Sequence, residues 1–576
     1  PALHEASEGG GRLTAPELHR FHLQGRPEGT PAGTRYVPAA LWSGFVPGTA
    51  EPEPATDFAV LDALLIAAHG RSETRRDAFR RRLDGLARKL RETLAVDTDK
   101  RSARTPSHLS RTLGNVADRV DADSLARSLG PRRGAVGMTD TQRVRLERVL
   151  ETMTAFSWDD VPHGVVVREP GDPLPEVPGV WVEELSPNPC TDAPAIFDEY
   201  ADQLSAVFGA ARIAALAVSG RFEEERHGPW ADHLHPGRYS TEEYQLAPAV
   251  VAIDQATDIA ARQLSGFTRF LLCNRPVHTI LRADTSPDLG DGARLELGYL
   301  AVAHRKALVQ QTSRGQAEHL TAGLRRGLDH VRPAVHVVFG DALPGTPRAL
   351  SDRAALHARV HPHFRYDPDA GRTWAGRMDF SSNPAPEEDW PRKTVAFARP
   401  GGESGSMEPA VTYADWLLLT GEADTEFLPV PAGCGDKDLL PLDDFLLRES
   451  AETDDRVPFI WAADPEGTLT RLAVTRRVVR ACREQLDFWH TLQELAGVRS
   501  EYVVEAVRRT RETLEERAEA EREELKRTRA AEIESARSEA VTQAIHTLSR
   551  RLLDPAASVA SIASVAPVAP VASVAS

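Results

Sequence analysis

The chain has 576 residues, room for three or four domains of ordinary size. Hydrophobic residues make up 41% and charged residues 27%, the balance of a globular chain rather than a disordered or fibrous one. A net charge of −16 argues against nucleic acid as a partner, because holding phosphates requires a cationic surface.

No apolar run reaches the roughly 18 residues a membrane span needs, and no charged-then-apolar leader opens the chain. The expectation is a cytoplasmic protein without a membrane span. The chain starts at Pro1 without a methionine, so further sequence is expected upstream. Its four cysteines, Cys190, Cys273, Cys434 and Cys482, lie more than forty positions apart. That spacing excludes a CxxC zinc site or an iron–sulfur cluster built from a local run, and predicts reduced thiols.

Residues 1–55 are rich in Gly, Pro and Ala and read as a linker or the remnant of an upstream domain. A helical region follows over 56–160, with Phe58, Leu61, Leu64 and Leu65 on one face and Phe79, Leu83, Leu86 and Leu90 on another. Thr139 to Gln142 has the form of a capping box opening a third helix.

An α/β domain is expected over 161–400. Pro162–Val180 reads as a Pro/Gly-rich boundary, Ala195–Phe208 as a helix and Ile213–Val218 as a buried strand. Glu223–Trp230 breaks the periodicity and reads as a loop. Strand-length runs then recur at Ala249–Ile253, Val277–Leu281, Ala307–Gln310 and Val335–Phe339, with a helical segment carrying Leu320, Leu324 and Leu328 between the last two. This alternation predicts βαβ units and a parallel sheet, whose ligands sit beyond the carboxyl ends of the strands. Asp284-Thr285 and the loop after Phe339 are the places where chemistry is expected.

Residues 401–497 read as an extension. It holds a hairpin, Pro458–Ala462 and Leu472–Val474 around an Asp464–Gly467 turn, and an amphipathic helix from Val478 to Leu495. Residues 498–554 form a long charged helix supported by Glu505–Arg509 and Glu523–Arg527 pairs. Its apolar positions, among them Val503, Val507, Leu514, Leu525, Ile533, Ile545, Leu548 and Leu552, are sparse for a zipper. A solvated rod and an oligomerisation arm both remain open. Residues 555–576 repeat Ser-Val-Ala and Pro-Val-Ala and read as a disordered tail.

Four pieces of the central region are similar, in order, to one known family: Phe197–Val218, Gly266–Thr285, Glu296–Phe339 and Phe364-Arg365-Tyr366-Asp367-Pro368. Together they resemble the C-terminal, thiamine-diphosphate-binding part of pyruvate:ferredoxin oxidoreductases and related 2-oxoacid oxidoreductases. The resemblance covers about 195–370. It implies a parallel-sheet thiamine-diphosphate-binding-like domain, with thiamine diphosphate and magnesium as cofactors and a redox partner subunit or ferredoxin as electron acceptor. Asp284 and Thr285 match its cofactor corner, and Thr285 its metal-binding threonine.

The chain also departs from the family. The Gly-Asp-Gly loop that supplies the metal carboxylate falls at Gln255-Ala256-Thr257, which has neither glycine nor carboxylate. Asp254 and Asp258 are the nearest substitutes as magnesium ligands. Gly290-Asp291-Gly292 reads as a turn, and the cluster cysteines are missing, so no iron–sulfur cluster is expected in this chain. The implied function is a catalytically degenerate component of 2-oxoacid:ferredoxin oxidoreductase type. The alternative is a non-catalytic assembly protein that uses the α/β domain and the C-terminal arm. A third constellation, His227, His233 and His235 beside Glu223–Glu225 and Asp232, has the residue types of a zinc site.

Overall fold

The structure is a computed structural model that describes residues 3–5, 15–25, 36–44, 59–103, 105–128, 137–171, 181–283, 295–340, 343, 346–399, 403–430, 434 and 437–553. It divides into two units, one up to Arg499 and one from Ser500 onward.

Short continuous apolar runs bounded by turn residues build the central sheet of the first unit. Its strands are β1 (Gly164–Arg168), β2 (Trp181–Leu185), β3 (Ala249–Gln255), β4 (Val277–Ala283), β5 (Leu308–Ser313), β6 (Ala334–Phe339), β7 (Phe364–Tyr366) and β8 (Met378–Asp379). The order across the sheet is β2-β1-β3-β4-β6-β5-β7-β8. The first six are mutually parallel, and β7 and β8 close the edge antiparallel.

Helices cover both faces, which is why β1, β4, β5 and β6 are buried along nearly their whole length instead of alternating between buried and exposed. The start of α1 (Ala59–Ser102) packs Leu61, Leu64 and Leu65 with Val166, Val251 and Ile280 on one face. On the other face Val165, Val167, Val250 and Leu281 meet α3 (Pro189–Asp202), α4 (Ser205–Val218) and α5 (Leu264–Leu272), with α2 (Asp140–Ala155) and α6 (Leu297–His304) in the same core. The Thr139 capping box opens α2 as expected, with both reciprocal hydrogen bonds made at 3.2 Å. On the first face, α7 (Ala317–Asp329) lies close to β5 because Gly323 leaves room for the Gln310 amide, which a Cβ would meet at 2.1 Å. That amide donates to the His319 carbonyl at 2.6 Å.

Four expectations need correction. Ile213–Val218 is the end of helix α4, not a strand, because its alanines favour helix and a six-residue apolar run does not distinguish the two. Pro162–Val180 is no mere boundary, since it contains β1, the second strand from one edge of the sheet, whose Val165-Val166-Val167 run is masked by flanking Pro and Gly. Glu224–Asp232 is a helix despite Gly228 and Pro229. Parts of the expected N-terminal linker are structured, with Leu18, Phe21 and Val37 to Trp42 holding buried apolar side chains.

The expected hairpin forms as Val457–Ala463 paired with Thr468–Val474. It is the centre of a second sheet that takes in Val395–Ala398, Ser404–Met407, Phe427–Pro429 and Leu439–Pro441, and from the N-terminus Leu3–Glu5 and Val37–Pro38. One helix joins the two bodies. In α8 (Arg476–Ala496), Val478, Val479, Cys482 and Leu486 enter the second core while Trp489 and Leu492 enter the first.

Arg359 fixes this junction. It is fully buried, sits in the left-handed region at φ 58°, and lays its guanidinium 3.6 Å from the centre of the Trp489 ring. Its nitrogens donate to the carbonyls of Pro384, Ala385, Glu388 and Asp389. From the other side, Trp489 donates to Glu388 O and Gln493 to Pro386 O, so the loop 384–389 is gripped between Arg359 and α8.

The second unit consists, in its described part, of α9 (Glu501–Leu553), a single helix of 53 residues with no buried side chain. The expected Glu505–Arg509 pair forms at 2.8 Å, whereas Glu523 meets Lys526 at 3.2 Å. Among the described residues no single helix is long and apolar enough to cross a membrane. The α3–α4 pair is apolar but bent by 51°, and Phe197 and Phe208 are buried in the first core.

Two outcomes follow from this packing. Arg359→Met should destabilise the first unit by about 3–5 kcal/mol, because buried carbonyls lose their donor; chemical denaturation would measure it. The sheet also buries imidazoles: His278 and His336 stack at 5.9 Å, and burial pushes them down to about 4 and about 3. They are neutral in the fold but protonate near 6.5 once unfolded. Stability is therefore complete above about pH 6.5 and falls as the pH drops toward 4, by on the order of 2–3 kcal/mol per group. His336→Gln should make that acid slope shallower in pH-dependent melts.

Candidate functional site

The strand order determines where a ligand site can form. After β1 the chain crosses to β2 on one side, while β3 lies on the other, so a crevice opens beyond the carboxyl ends of β1 and β3. A cavity of about 310 Å³ occupies it. Arg168, Glu169 and Gly171 line it from the end of β1, Asp254 and Gln255 from β3, Asp258 from the turn that follows, and Ile280 and Arg282 from β4. Leu61 of α1 contributes an apolar wall. Parallel pairing sets Arg168 level with Ile253, and Gln255 level with Arg282.

Asp254 is the least comfortable group in the crevice. It is only 4% exposed, and its Oδ2 accepts from the Cys190 amide at the start of α3, 3.0 Å away. The Cys190 thiol lies 3.0 Å from the Thr279 hydroxyl. Burial lifts the Asp254 carboxyl to about 6, against the opposing pull of its Cys190 hydrogen bonds. Asp258 forms an ion pair with Arg262 at 2.5 Å. With its amide oxygen turned toward Arg282, Gln255 accepts from Nη2 at 2.9 Å and Nε at 3.2 Å. Arg168 pairs with Glu183 on the neighbouring strand.

The backbone after β3 is also unusual. Ile259–Gln263 is a π-helical turn leading into α5, a distortion that often accompanies functional sites. The buried Gln263 side chain leaves its carbonyl oxygen without a hydrogen-bond partner among the described residues.

Of the residues expected at a cofactor site, Asp254 and Asp258 both line this crevice. Asp284 and Thr285 lie outside the described residues, as does Gly290-Asp291-Gly292. β4 carries the chain as far as Ala283, beside Phe339 at the end of β6. Magnesium on a diphosphate needs oxygen ligands from one or two carboxylates, and a backbone without side chains close to the phosphates. The described residues do not fit that demand. Asp254 is committed to the Cys190 amide and Asp258 to Arg262, and the first glycine after β3 is Gly266, packed on Thr191 inside α5.

The histidine constellation does not assemble into a metal site. The His227 Nδ1 is held by the Glu223 backbone and its ring stacks on Phe222, and His235 caps the turn at Gly237. Among the described residues, the group whose ligand atoms lie close enough for one ion is His330, Asp367 and Asp369, at the amino end of β6. Arginines already neutralise both carboxylates: Arg326 reaches Asp367 at 2.7 Å and Arg332 holds Asp369 through two contacts of 3.0 Å.

Sequence reasoning missed Arg168 and the Cys190–Asp254 contact. The signal for the first is an arginine closing a Val-Val-Val run before Glu-Pro-Gly. The second joins residues 64 positions apart and leaves no local trace. No family model matches this sequence, and no curated protein matches it.

Because the fold raises the Asp254 pKa above its unfolded value, its contribution is favourable below about pH 4 and is lost as the pH rises through 6. Asp254→Asn should therefore raise the melting temperature at pH 7–8 and leave it unchanged near pH 4. The gain should be on the order of 1–3 kcal/mol, read from melts at the two pH values.

Proposed function

We propose that this chain is a thiamine-fold component of 2-oxoacid:ferredoxin oxidoreductase type that has lost its own cofactor chemistry and serves as a non-catalytic subunit beside a redox partner. The observation that carries the reading is the end of β3. A ligand crevice persists at the carboxyl edge of a parallel sheet, and the segment aligned with the family's metal-carboxylate loop borders it as Asp254–Asp258. Its side chains are tied to the protein instead of being open to a metal: Asp254 to Cys190, Gln255 to Arg282 and Asp258 to Arg262. Two further features are in keeping with the kinship. β4 runs as far as Ala283, the residue before the Asp284-Thr285 pair, and Phe364–Tyr366 forms an antiparallel strand beside the sheet's edge.

In this reading the chain contributes shape and contacts, while decarboxylation and electron transfer belong to other subunits. Isothermal titration of the full chain with thiamine diphosphate and magnesium should give no heat up to millimolar cofactor. A micromolar dissociation constant would overturn the loss of cofactor binding. The kinship has its own positive test. Gln255→Gly, Ala256→Asp and Thr257→Gly together reinstate the family loop, and should raise affinity for the magnesium–cofactor pair at least ten-fold if this is the ancestral corner.

A further inference from the structure

Helix α9 is the part of the molecule that the reading above does not use, and it presents a physical problem. Fifty-three residues at about 1.5 Å each make a rod of roughly 80 Å. None of its side chains is buried, and Val503, Val507, Leu514, Val541, Ile545, Leu548 and Leu552 are each more than half exposed. An isolated helix draws little stability from propensity alone, so a row of large apolar side chains along it calls for a covering surface.

The spacing of that row shows which surface fits. From Val503 inward, the stripe that carries this row runs Val503, Val507, Thr510, Leu514, Ala518 and Arg522, at steps of 4, 3, 4, 4 and 4. From Leu552 inward, it runs Leu552, Leu548, Ile545, Val541, Arg537 and Ile533, at the same steps. A row that reads alike from both ends matches its own copy turned end for end. About a two-fold axis near residues 527 and 528, Val503 meets Leu552, Val507 meets Leu548, Thr510 meets Ile545 and Leu514 meets Val541. Four-residue steps outnumber three-residue ones, so the row winds around the helix with a right-handed sense.

Charge selects the same arrangement. Residues 501–526 hold nine acidic and six basic side chains, whereas 527–553 hold three acidic and five basic. A parallel pair would set each half against its own sign and stack Arg522 on Arg522 and Arg537 on Arg537. The antiparallel pair sets the acidic half against the basic half, with Arg522 opposite Ile533 and Arg537 opposite Ala518. Antiparallel helix dipoles add to the preference.

We propose that α9 is a self-association arm on which a second copy of this chain docks antiparallel, about a two-fold axis near residues 527 and 528. The inference is independent of the cofactor reading, and its test leaves the crevice untouched. Sedimentation of the full chain across a concentration series should show a monomer–dimer equilibrium that weakens with added salt, because opposite charges face each other.

Orientation is read by pulsed electron–electron distances in chains in which Cys273 and Cys434 are replaced by serine. A spin label at Glu512→Cys should lie about 45 Å from its counterpart in the second copy, and one at Thr528→Cys within about 20 Å. Leu514→Glu with Val541→Glu should raise the dissociation constant at least ten-fold, with helicity by circular dichroism confirming that the arm persists. Leu514→Glu with Val541→Lys should recover part of that loss, since the antiparallel pair brings glutamate against lysine. A monomer at every concentration would overturn the proposal and leave the arm for a different protein. So would a short distance at position 512, or a dimer indifferent to the double glutamate variant.

Discussion

The first unit depends on the way a single buried cation holds a loop against a helix. Arg359 lies too deep for water to satisfy it, and no carboxylate pairs with its guanidinium at salt-bridge distance among the described contacts. Four backbone carbonyls and the face of Trp489 satisfy it instead. Burial draws its pKa down to about 9, so it is still charged at neutral pH. The arrangement has a consequence for the whole unit. The gripped loop is also held by α8, which is shared between two hydrophobic cores, so the central sheet and the second sheet are coupled through one helix face. Loss of packing in one body reaches the other through Trp489.

That rigidity makes the crevice at β1 and β3 a meaningful place to look for function. The sheet is clamped on both faces, and the far edge is closed by the antiparallel β7 and β8. The strand ends around Asp254 are therefore held in fixed register. Among the described residues two buried carboxyls are shifted upward in the same sense, and they differ in what surrounds them. Asp415, lifted by burial to about 7, sits in the second core and accepts from both the amide and the hydroxyl of Thr412, so its role is to cap a helix. Asp254 reaches across from β3 to the first turn of α3, where it accepts from the Cys190 amide, and it also lines the cavity.

Much of the architecture was legible in the residues because it is locally encoded. The Val277–Leu281 and Val335–Phe339 runs became β4 and β6 nearly residue for residue, and Thr139 and Gln142 made the capping box their spacing promised. The Asp464–Gly467 turn joined its two strands, with Gly467 at φ 86°. What escaped was decided by tertiary context. The run 213–218 is equally apolar as helix or strand, and only the alanine content and the layer it packs in choose helix. β1 is short and hemmed by proline and glycine, yet it lies beside the crevice. The Arg359 junction is assembled from residues 25 to 130 positions apart, none of which announces its partner.

The titrating groups bring these strands together. Above about pH 6.5 the buried imidazoles of the sheet are neutral both folded and unfolded, so their contribution to stability is complete. In the same range Asp254 is charged in a pocket that disfavours charge, and the fold would hold an amide of the same shape more stably. The two effects have opposite signs, and at neutral pH only the carboxylate is unfavourable. Packing does not require that penalty, because Asn would accept the same Cys190 hydrogen bond. The carboxylate has a structural use where it stands, because its oxygen meets the Cys190 amide in the first turn of α3, where the helix dipole favours negative charge.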